Sequence, residues 1–382
     1  MKYRNLGKTD LQGSEISLGC EGFVDHDGTL TPLLLDKAED LQINYLDFYT
    51  PDPNLRNRLG KALAGRRDKF ILQAHLCTTW KTDQYQRTRK IEEVKASFED
   101  LLARLETDYI DVGMIHYVDS MEDWQEVSQG SVMEYAKELK AAGKIRHIGM
   151  SSHNPLVSKA AVESGLIEVL MFSINPCYDL QPASEDCNDL WDDKNYQSQH
   201  INIDQDRESL YELCEQKGVG ITVMKAFGGG DLLDASMSPA GVALTVNQCI
   251  HYALTRPAVA TVLSGAHTLK ELEISAAYET AAEKEKDYAA AFALMPNISW
   301  EGHCMYCGHC APCTVGIDVA SVTKFLNLTK AQGMVPETVR EHYSTLEHSA
   351  SECAGCGACE KRCPFGVKII DNMKEAVTVF GK

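Results

Sequence analysis

Along the first 280 or so residues, short apolar and β-branched runs alternate with stretches whose apolar side chains recur every three or four positions. The runs Ile16–Gly19, Tyr45–Phe48, Phe70–Ala74, Tyr109–His116, Arg146–Ser151, Val169–Ser173, Gly220–Met224 and Ala260–Ser264 predict strands. Between them Arg89–Leu105, Ser131–Ala142, Asp206–Lys217 and Ser238–Thr255 predict helices. In the first of these Ile91, Val94, Phe98, Leu101, Leu102 and Leu105 fall on one face. Strand–helix alternation requires parallel strands joined by crossover helices. Eight such units in about 270 residues fit a closed (β/α)8 TIM barrel better than an open α/β sheet. No GxGxxG turn links a strand to a helix, so the dinucleotide fingerprint of the open sheet is missing. The acidic, polar segment Cys177–Arg207 leaves the C-terminal end of a strand, where barrel active sites sit, and reads more readily as a lid than as an inert insertion.

The pattern breaks near residue 285, which divides the chain into a barrel over 1–285 and a small, mainly helical domain over 286–382. Six of the fourteen cysteines are scattered through the barrel, and the other eight crowd into positions 304–363. They form Cys304-x2-Cys307-x2-Cys310-x2-Cys313 and Cys353-x2-Cys356-x2-Cys359-x3-Cys363-Pro364. Three thiolates at intervals of three wrap one face of a cluster, and a distant fourth completes it. Structural zinc prefers two separated ligand pairs, so this crowding favours two [4Fe–4S] clusters. In two-cluster ferredoxins the last Cys of each run serves the other cluster. That crossing puts Cys304, Cys307, Cys310 and Cys363 on one cluster, and Cys353, Cys356, Cys359 and Cys313 on the other. The first motif departs from the pattern in its shorter last gap and in Thr314, which stands where Pro usually follows. Ile317–Gln332 and Glu337–Glu347 predict helices between the motifs, and His303 and His309 read as solvated neighbours of the ligands.

Charge narrows the partners. With 37 Lys+Arg against 55 Asp+Glu the chain carries −18, a surface that repels phosphate backbones and excludes nucleic acid as a natural partner. No apolar run reaches membrane-spanning length, and the N-terminus lacks the apolar core of a signal peptide. The expectation is a cytoplasmic protein that uses dense cysteine for metal rather than disulfides.

Polar residues that follow apolar strands line a barrel's catalytic mouth. Here they are Asp47, His75, His116, Ser151, Ser152, His153, Asn175, Lys225 and Ser264. Asp47, His75 and His116 together suit proton transfer near neutral pH, with the carboxylate orienting an imidazole.

The stretches NYLDFYTPDPNLRNRLGKAL, DYIDVGMIHYVD, GKIRHIGMSSHNP, GITVMKAFGGGDLL and VLSGAHTLKELE follow one another in the order of the aldo/keto reductases. The chain resembles the branch in which that barrel is fused to a C-terminal ferredoxin-like domain. The resemblance implies a nicotinamide cofactor lying across the strand ends, hydride transfer to a carbonyl, and a catalytic tetrad of Asp, Tyr, Lys and His. Asp47 matches the Asp and His116 the His, whereas His75 stands at the Lys position and Asp52 at the Tyr position. Tyr49 is close by but out of register. Ser151 and Ser152 stand where a Ser-Asn pair would hold the carboxamide, and Met171 replaces the usual Gln. Lys225 lies near where an aromatic would stack on the nicotinamide. Gly265 begins a phosphate-facing turn into a helix over Thr268–Ala281. Glu271 and Ser275 replace the expected Arg and Asn, so NAD(H) is favoured over NADP(H), with Lys270 as partial compensation.

These departures lead to an expectation that His75 and His116 share the proton work, oriented by Asp47, with Tyr49 or Asp52 as a secondary donor. The function expected is an iron–sulfur oxidoreductase acting on a small organic carbonyl, exchanging electrons with a redox partner protein through two clusters. An electron-transfer protein with a degenerate barrel, and a redox-neutral isomerase or lyase using the His/Asp site, are the alternatives.

Overall fold

The structure is a computed structural model that describes residues 1–23, 28–190, 195, 200–201, 203–292, 298–299, 302, 304–332 and 334–381. Eight parallel strands close into a barrel in sequence order. They are β1 (Ile16–Gly19), β2 (Tyr45–Phe48), β3 (Ile71–Leu76), β4 (Ile110–Ile115), β5 (Ile145–Ser152), β6 (Val169–Ser173), β7 (Gly220–Met224) and β8 (Val259–Ser264). Nearly every residue of these strands is buried, because one face packs inside the barrel and the other beneath the helices. The helix Ile91–Leu105 buries Val94, Phe98, Leu101, Leu102 and Leu105, the stripe that its periodicity predicts. Each such side chain contributes about 1.5–3 kcal/mol when removed from water.

An N-terminal hairpin, Tyr3–Asn5 paired with Gln12–Ser14, plugs the lower end. Its Leu6 and Leu11 join Tyr45, Val112, Met114, Val169 and Met171 in an inner apolar layer. Gly7 turns there at φ +59, and a Cβ on it would lie 2.3 Å from Gly218 O. Any side chain would push the plug off the barrel.

Two local expectations are corrected. The helix predicted over Ser238–Thr255 runs only from Val246 to Leu254. Pro239 and Gly241 break the pattern upstream, and Thr245 starts the helix with a capping box: its hydroxyl accepts from Gln248 N (3.2 Å) while Gln248 Oε1 accepts from Thr245 N (2.8 Å). The helix predicted over Thr268–Ala281 is Leu269–Ala276 followed by a 3-10 turn, Ala277–Thr280. A second hairpin, Thr78–Lys81 with Gln84–Arg87, rises from the end of β3 without having been predicted. Of the expected lid, residues 191–194, 196–199 and 202 lie outside the described residues; the rest includes 3-10 turns at Tyr178–Leu180 and Cys187–Leu190.

The C-terminal region packs helix Val319–Gln332 against helix Ile369–Phe380. It is fastened to the barrel through Arg256, which is 2% exposed. Arg256 Nη2 donates to Met305 O at 2.8 Å, and Tyr288 OH donates to the same carbonyl at 2.5 Å. No helix among the described residues is long and apolar enough to cross a membrane.

Candidate active site and cluster centres

Asp47, His75 and His116 stand at the C-terminal ends of β2, β3 and β4, and the barrel register brings them together. His75 Nε2 lies 3.1 Å from Asp47 Oδ1, and His75 Nδ1 lies 2.7 Å from His116 Nδ1. Asp47 is fixed from below by Gln73, whose Nε2 donates to Oδ1 at 2.6 Å. Gln73 is itself oriented by Tyr45 OH (2.7 Å) and Thr222 Oγ1 (3.3 Å), which both donate to its Oε1, and its Nε2 also meets Met171 Sδ at 3.6 Å. Met171 therefore belongs to the layer beneath the carboxylate.

The unpredicted hairpin supplies a residue that sequence reasoning missed. Tyr85 OH lies 2.5 Å from His116 Nε2. Tyr49 stacks on the His116 ring (centroids 5.7 Å apart, planes 13° apart) and meets Tyr85 edge-on. Arg89 holds the hairpin's exit at the mouth, donating to His116 O (2.9 Å) and to both oxygens of Asp123 (2.8 and 2.6 Å). Asp52 is used elsewhere: its side chain accepts from Asn54 N at 2.8 Å and caps helix Pro53–Leu63.

The proton positions in this chain follow from its acceptor end. A carboxylate only accepts, so His75 Nε2 carries a proton and a neutral His75 leaves Nδ1 to accept from His116. His116 Nε2 is then free to accept from Tyr85. Burial, with the Arg89 guanidinium adding to it, pushes the His116 pKa well below the usual histidine range, which keeps this imidazole neutral. Burial likewise raises the Tyr85 pKa, so the phenol keeps its proton. The result is one directed series, Tyr85 to His116 to His75 to Asp47.

Across the mouth, two buried hydroxyls have no hydrogen-bond partner among the described residues, Ser151 on β5 and Ser173 on β6. Ser151 pairs with inward-facing Met171, and strand alternation puts Ser173 on the same inner face. The other expected cofactor residues are differently placed. Ser152 Oγ donates to Asp119 Oδ1 at 3.0 Å, and Asn175 Nδ2 donates to Lys225 O at 2.9 Å. Lys225 is half-buried at φ +61. Ser264 Oγ is 2.8 Å from Ser275 Oγ, Gly265 has open space around it, and Lys270 is exposed. Glu271 folds back over the start of helix Leu269–Ala276, where its Oε2 accepts from His267 N at 2.7 Å. A carboxylate of the chain already occupies that anion-favouring end.

In the C-terminal region two cavities of similar size, with 370 and 340 Å³ of empty space, are each lined by four cysteines. One takes Cys313, Cys353, Cys356 and Cys359; the other takes Cys304, Cys307, Cys310 and Cys363. Those are the two crossed sets that the spacing predicts, and eight convergent thiols in two equal cavities fit two clusters of one kind. Cys304, Cys307 and Cys310 of the second set lie on the loop held by Arg256, whereas Cys356 of the first is exposed. His309 is more than a solvated neighbour: its Nε2 lies 2.9 Å from Asp287 Oδ2 and its Nδ1 3.4 Å from Cys307 Sγ. His303 lies outside the described residues.

Comparison with known proteins agrees with both halves. Residues 33–245 match the model of the aldo/keto reductase family, and residues 302–367 match that of the 4Fe-4S dicluster domain. The chain is similar to the uncharacterized oxidoreductase YqkF of Bacillus subtilis (strain 168), 28% identical over 291 residues that make up 71% of this chain and 89% of that one. It is also similar to L-glyceraldehyde 3-phosphate reductase of Escherichia coli (strain K12), 28% identical over 173 residues, 43% of this chain and 49% of that one. Among solved structures, the holo form of aldo-keto reductase AKR11C1 from Bacillus halodurans superposes with a TM-score of 0.59 at 23% identity, covering 76% of this chain and 96% of that one. That likeness is one of fold.

Proposed function

The chain belongs to the aldo/keto reductase family and is an oxidoreductase with a 4Fe-4S dicluster domain, and on that premise we propose that it reduces a small organic carbonyl compound, or oxidises the alcohol in reverse, with NAD(H) and two clusters as one redox unit. The observation that carries this reading is the hydrogen-bonded series Tyr85–His116–His75–Asp47 at the barrel mouth. In the oxidising direction Tyr85 O accepts the substrate hydroxyl proton and passes its own to His116 Nε2. His116 gives its Nδ1 proton to His75, and the positive charge comes to rest on His75 beside the Asp47 carboxylate. In the reducing direction the same protons move back, and Tyr85 delivers one to the substrate oxygen as the alcohol forms. Tyr85 thus does from a hairpin what the family's tyrosine does from a position that Asp52 occupies here. Tyr49 packs the His116 ring in place.

A nicotinamide cofactor, when bound, supplies or removes a hydride, and two clusters at one electron each match its two electrons. The Ser151 and Ser173 hydroxyls, without a partner among the described residues, fit a carboxamide, which both donates and accepts. Glu271 opposes a further phosphate and favours NAD(H) over NADP(H). For the clusters, Cys304, Cys307, Cys310 and Cys363 would hold the one next to the barrel, and Cys313, Cys353, Cys356 and Cys359 the outer one. The exposure of Cys356 makes the outer cluster the port for a redox partner protein, and the charge of −18 suits a basic one.

Anaerobic titration of cluster-replete protein with NADH and, separately, NADPH tests the reading through cofactor fluorescence and cluster absorption followed together. NADH is expected to bind more tightly than NADPH and to bleach the clusters. Binding of neither nucleotide removes NAD(H) from the reading and leaves cluster-driven chemistry in its place.

A further inference from the structure

Beside the proton series lies a second group of chemistry-bearing side chains that it does not use. Asp119 follows β4, His153 follows β5, and Cys187 comes from the 3-10 turn Cys187–Leu190 in the long segment after β6. One donor atom from each lies within 4.8 Å of the other two. We propose that Asp119, His153 and Cys187 form a binding site for a divalent transition-metal cation, zinc by its chemistry, at the rim of the barrel mouth.

The three residues supply a carboxylate oxygen, an imidazole nitrogen and a thiolate sulfur, a set that suits zinc above calcium or magnesium. Three protein ligands with a fourth position open is the arrangement of catalytic rather than structural zinc. The carboxylate is prepositioned: Asp119 Oδ1 accepts from Ser152 Oγ (3.0 Å) and His153 N (2.7 Å), and Oδ2 lies 2.8 Å from His153 Nδ1. Asn154 Nδ2 fixes the Asp119 backbone through its carbonyl at 2.9 Å. Asp119 is only 5% exposed, and a carboxylate so buried depends on the donors around it to stay in place. Cys187 is half-buried, so its sulfur is within reach of an incoming ion. Binding forms a sulfur–metal bond and releases the thiol proton to solvent.

The site touches the proposed chemistry through Tyr117, whose ring meets His116 at 5.1 Å and His153 at 5.9 Å. An ion there with an open position would take an oxygen of the substrate as a Lewis acid. This last step rests on the proposed carbonyl chemistry; the binding of the metal does not.

The test uses full-length, cluster-replete protein, freed of loosely held metal under anaerobic conditions and titrated with zinc sulfate. Bound zinc is counted against iron, and its coordination is read by zinc K-edge X-ray absorption, to which the iron clusters are silent. One zinc per chain is expected, with one sulfur at about 2.3 Å and nitrogen or oxygen donors at about 2.0–2.2 Å. Cys187→Ser should lose the sulfur and bind at least about tenfold more weakly, while His153→Gln should bind equally weakly and keep the sulfur. Unchanged iron content and circular dichroism show that both variants fold. Absence of stoichiometric zinc, a shell of nitrogen and oxygen alone in the parent protein, an all-sulfur shell, or an unaffected Cys187→Ser variant would each overturn the site. Any of these results leaves the Tyr85–His116–His75–Asp47 series untouched.

Discussion

Replacing Arg256 with Met should loosen the cluster next to the barrel without disturbing the outer one. Arg256 is buried between the Tyr252 ring (4.4 Å) and the Tyr306 ring (5.6 Å), and its Nη2 donates to Met305 O, a carbonyl of the loop between Cys304 and Cys307. Met conserves much of the bulk and removes the charged donor. A hydrogen bond from a charged group contributes about 1.5–3 kcal/mol. Tyr288 OH still donates to the same carbonyl, so the acceptor is not orphaned and the lower half of that range applies. At about 1.4 kcal/mol per tenfold, the loop should open roughly 10- to 40-fold more often. The assay is anaerobic loss of cluster absorption in the presence of an iron chelator. The parent protein should lose its two clusters in two phases, and the variant should accelerate the phase belonging to the Cys304 set alone. Rates within twofold of the parent, or equal acceleration of both phases, would refute the reasoning that Arg256 fastens one particular cluster to the barrel.

Three further outcomes follow from the same geometry. Tyr85→Phe keeps the ring against Tyr49 but removes the O–H at His116, and should lower kcat for carbonyl reduction by about 10²- to 10⁴-fold with clusters intact; a turnover within threefold of the parent sinks the role given to Tyr85. His251 is held by burial down to about 4, so as pH falls below the usual histidine value of 6.5 the unfolded chain takes up a proton that the folded protein refuses. That group should therefore remove about 2 kcal/mol of stability between pH 7 and pH 5, a difference that urea unfolding of His251→Asn should not show. Glu271→Gln should raise NADPH affinity relative to NADH by about 3- to 10-fold, since it takes a negative charge from the start of a helix, and a ratio unchanged in fluorescence titrations would count against that assignment.

The barrel was legible because its information is local: each strand is a short apolar run and each crossover helix a 3.6-residue stripe, and connection rules leave few ways to assemble eight such units. The cluster sets were legible for a related reason, since close cysteine spacing places three thiols on one loop whatever surrounds it. Tyr85 was not legible. Its hairpin turns through Thr82 (φ 50) and Asp83 (φ 56), two left-handed residues in a row, and neither is the glycine or asparagine that usually announces such a turn. The strands on either side, Thr78–Lys81 and Gln84–Arg87, are short and mostly polar, and only Thr78 is buried, so alternation gives no signal. The early start placed at Ser238 has a different cause: apolar positions continue upstream of Thr245, while the capping box of Thr245 and Gln248 is what starts the helix. Asp52 shows the same competition at the site, where an aspartate before a proline-led helix is first of all a cap.

If barrel site and clusters form one redox unit, substrate should reoxidise reduced clusters, and that reaction can be measured directly. Protein with both clusters reduced is mixed anaerobically with NAD+ and a panel of small aldehydes and ketones in a stopped-flow spectrometer. At least one carbonyl compound should restore the oxidised cluster spectrum, with one alcohol formed for every two clusters reoxidised, and Tyr85→Phe should slow this by about 10²-fold or more. Clusters that stay reduced while the same carbonyl compounds are turned over with NADH would contradict it, and would separate the two halves of the chain into independent machines.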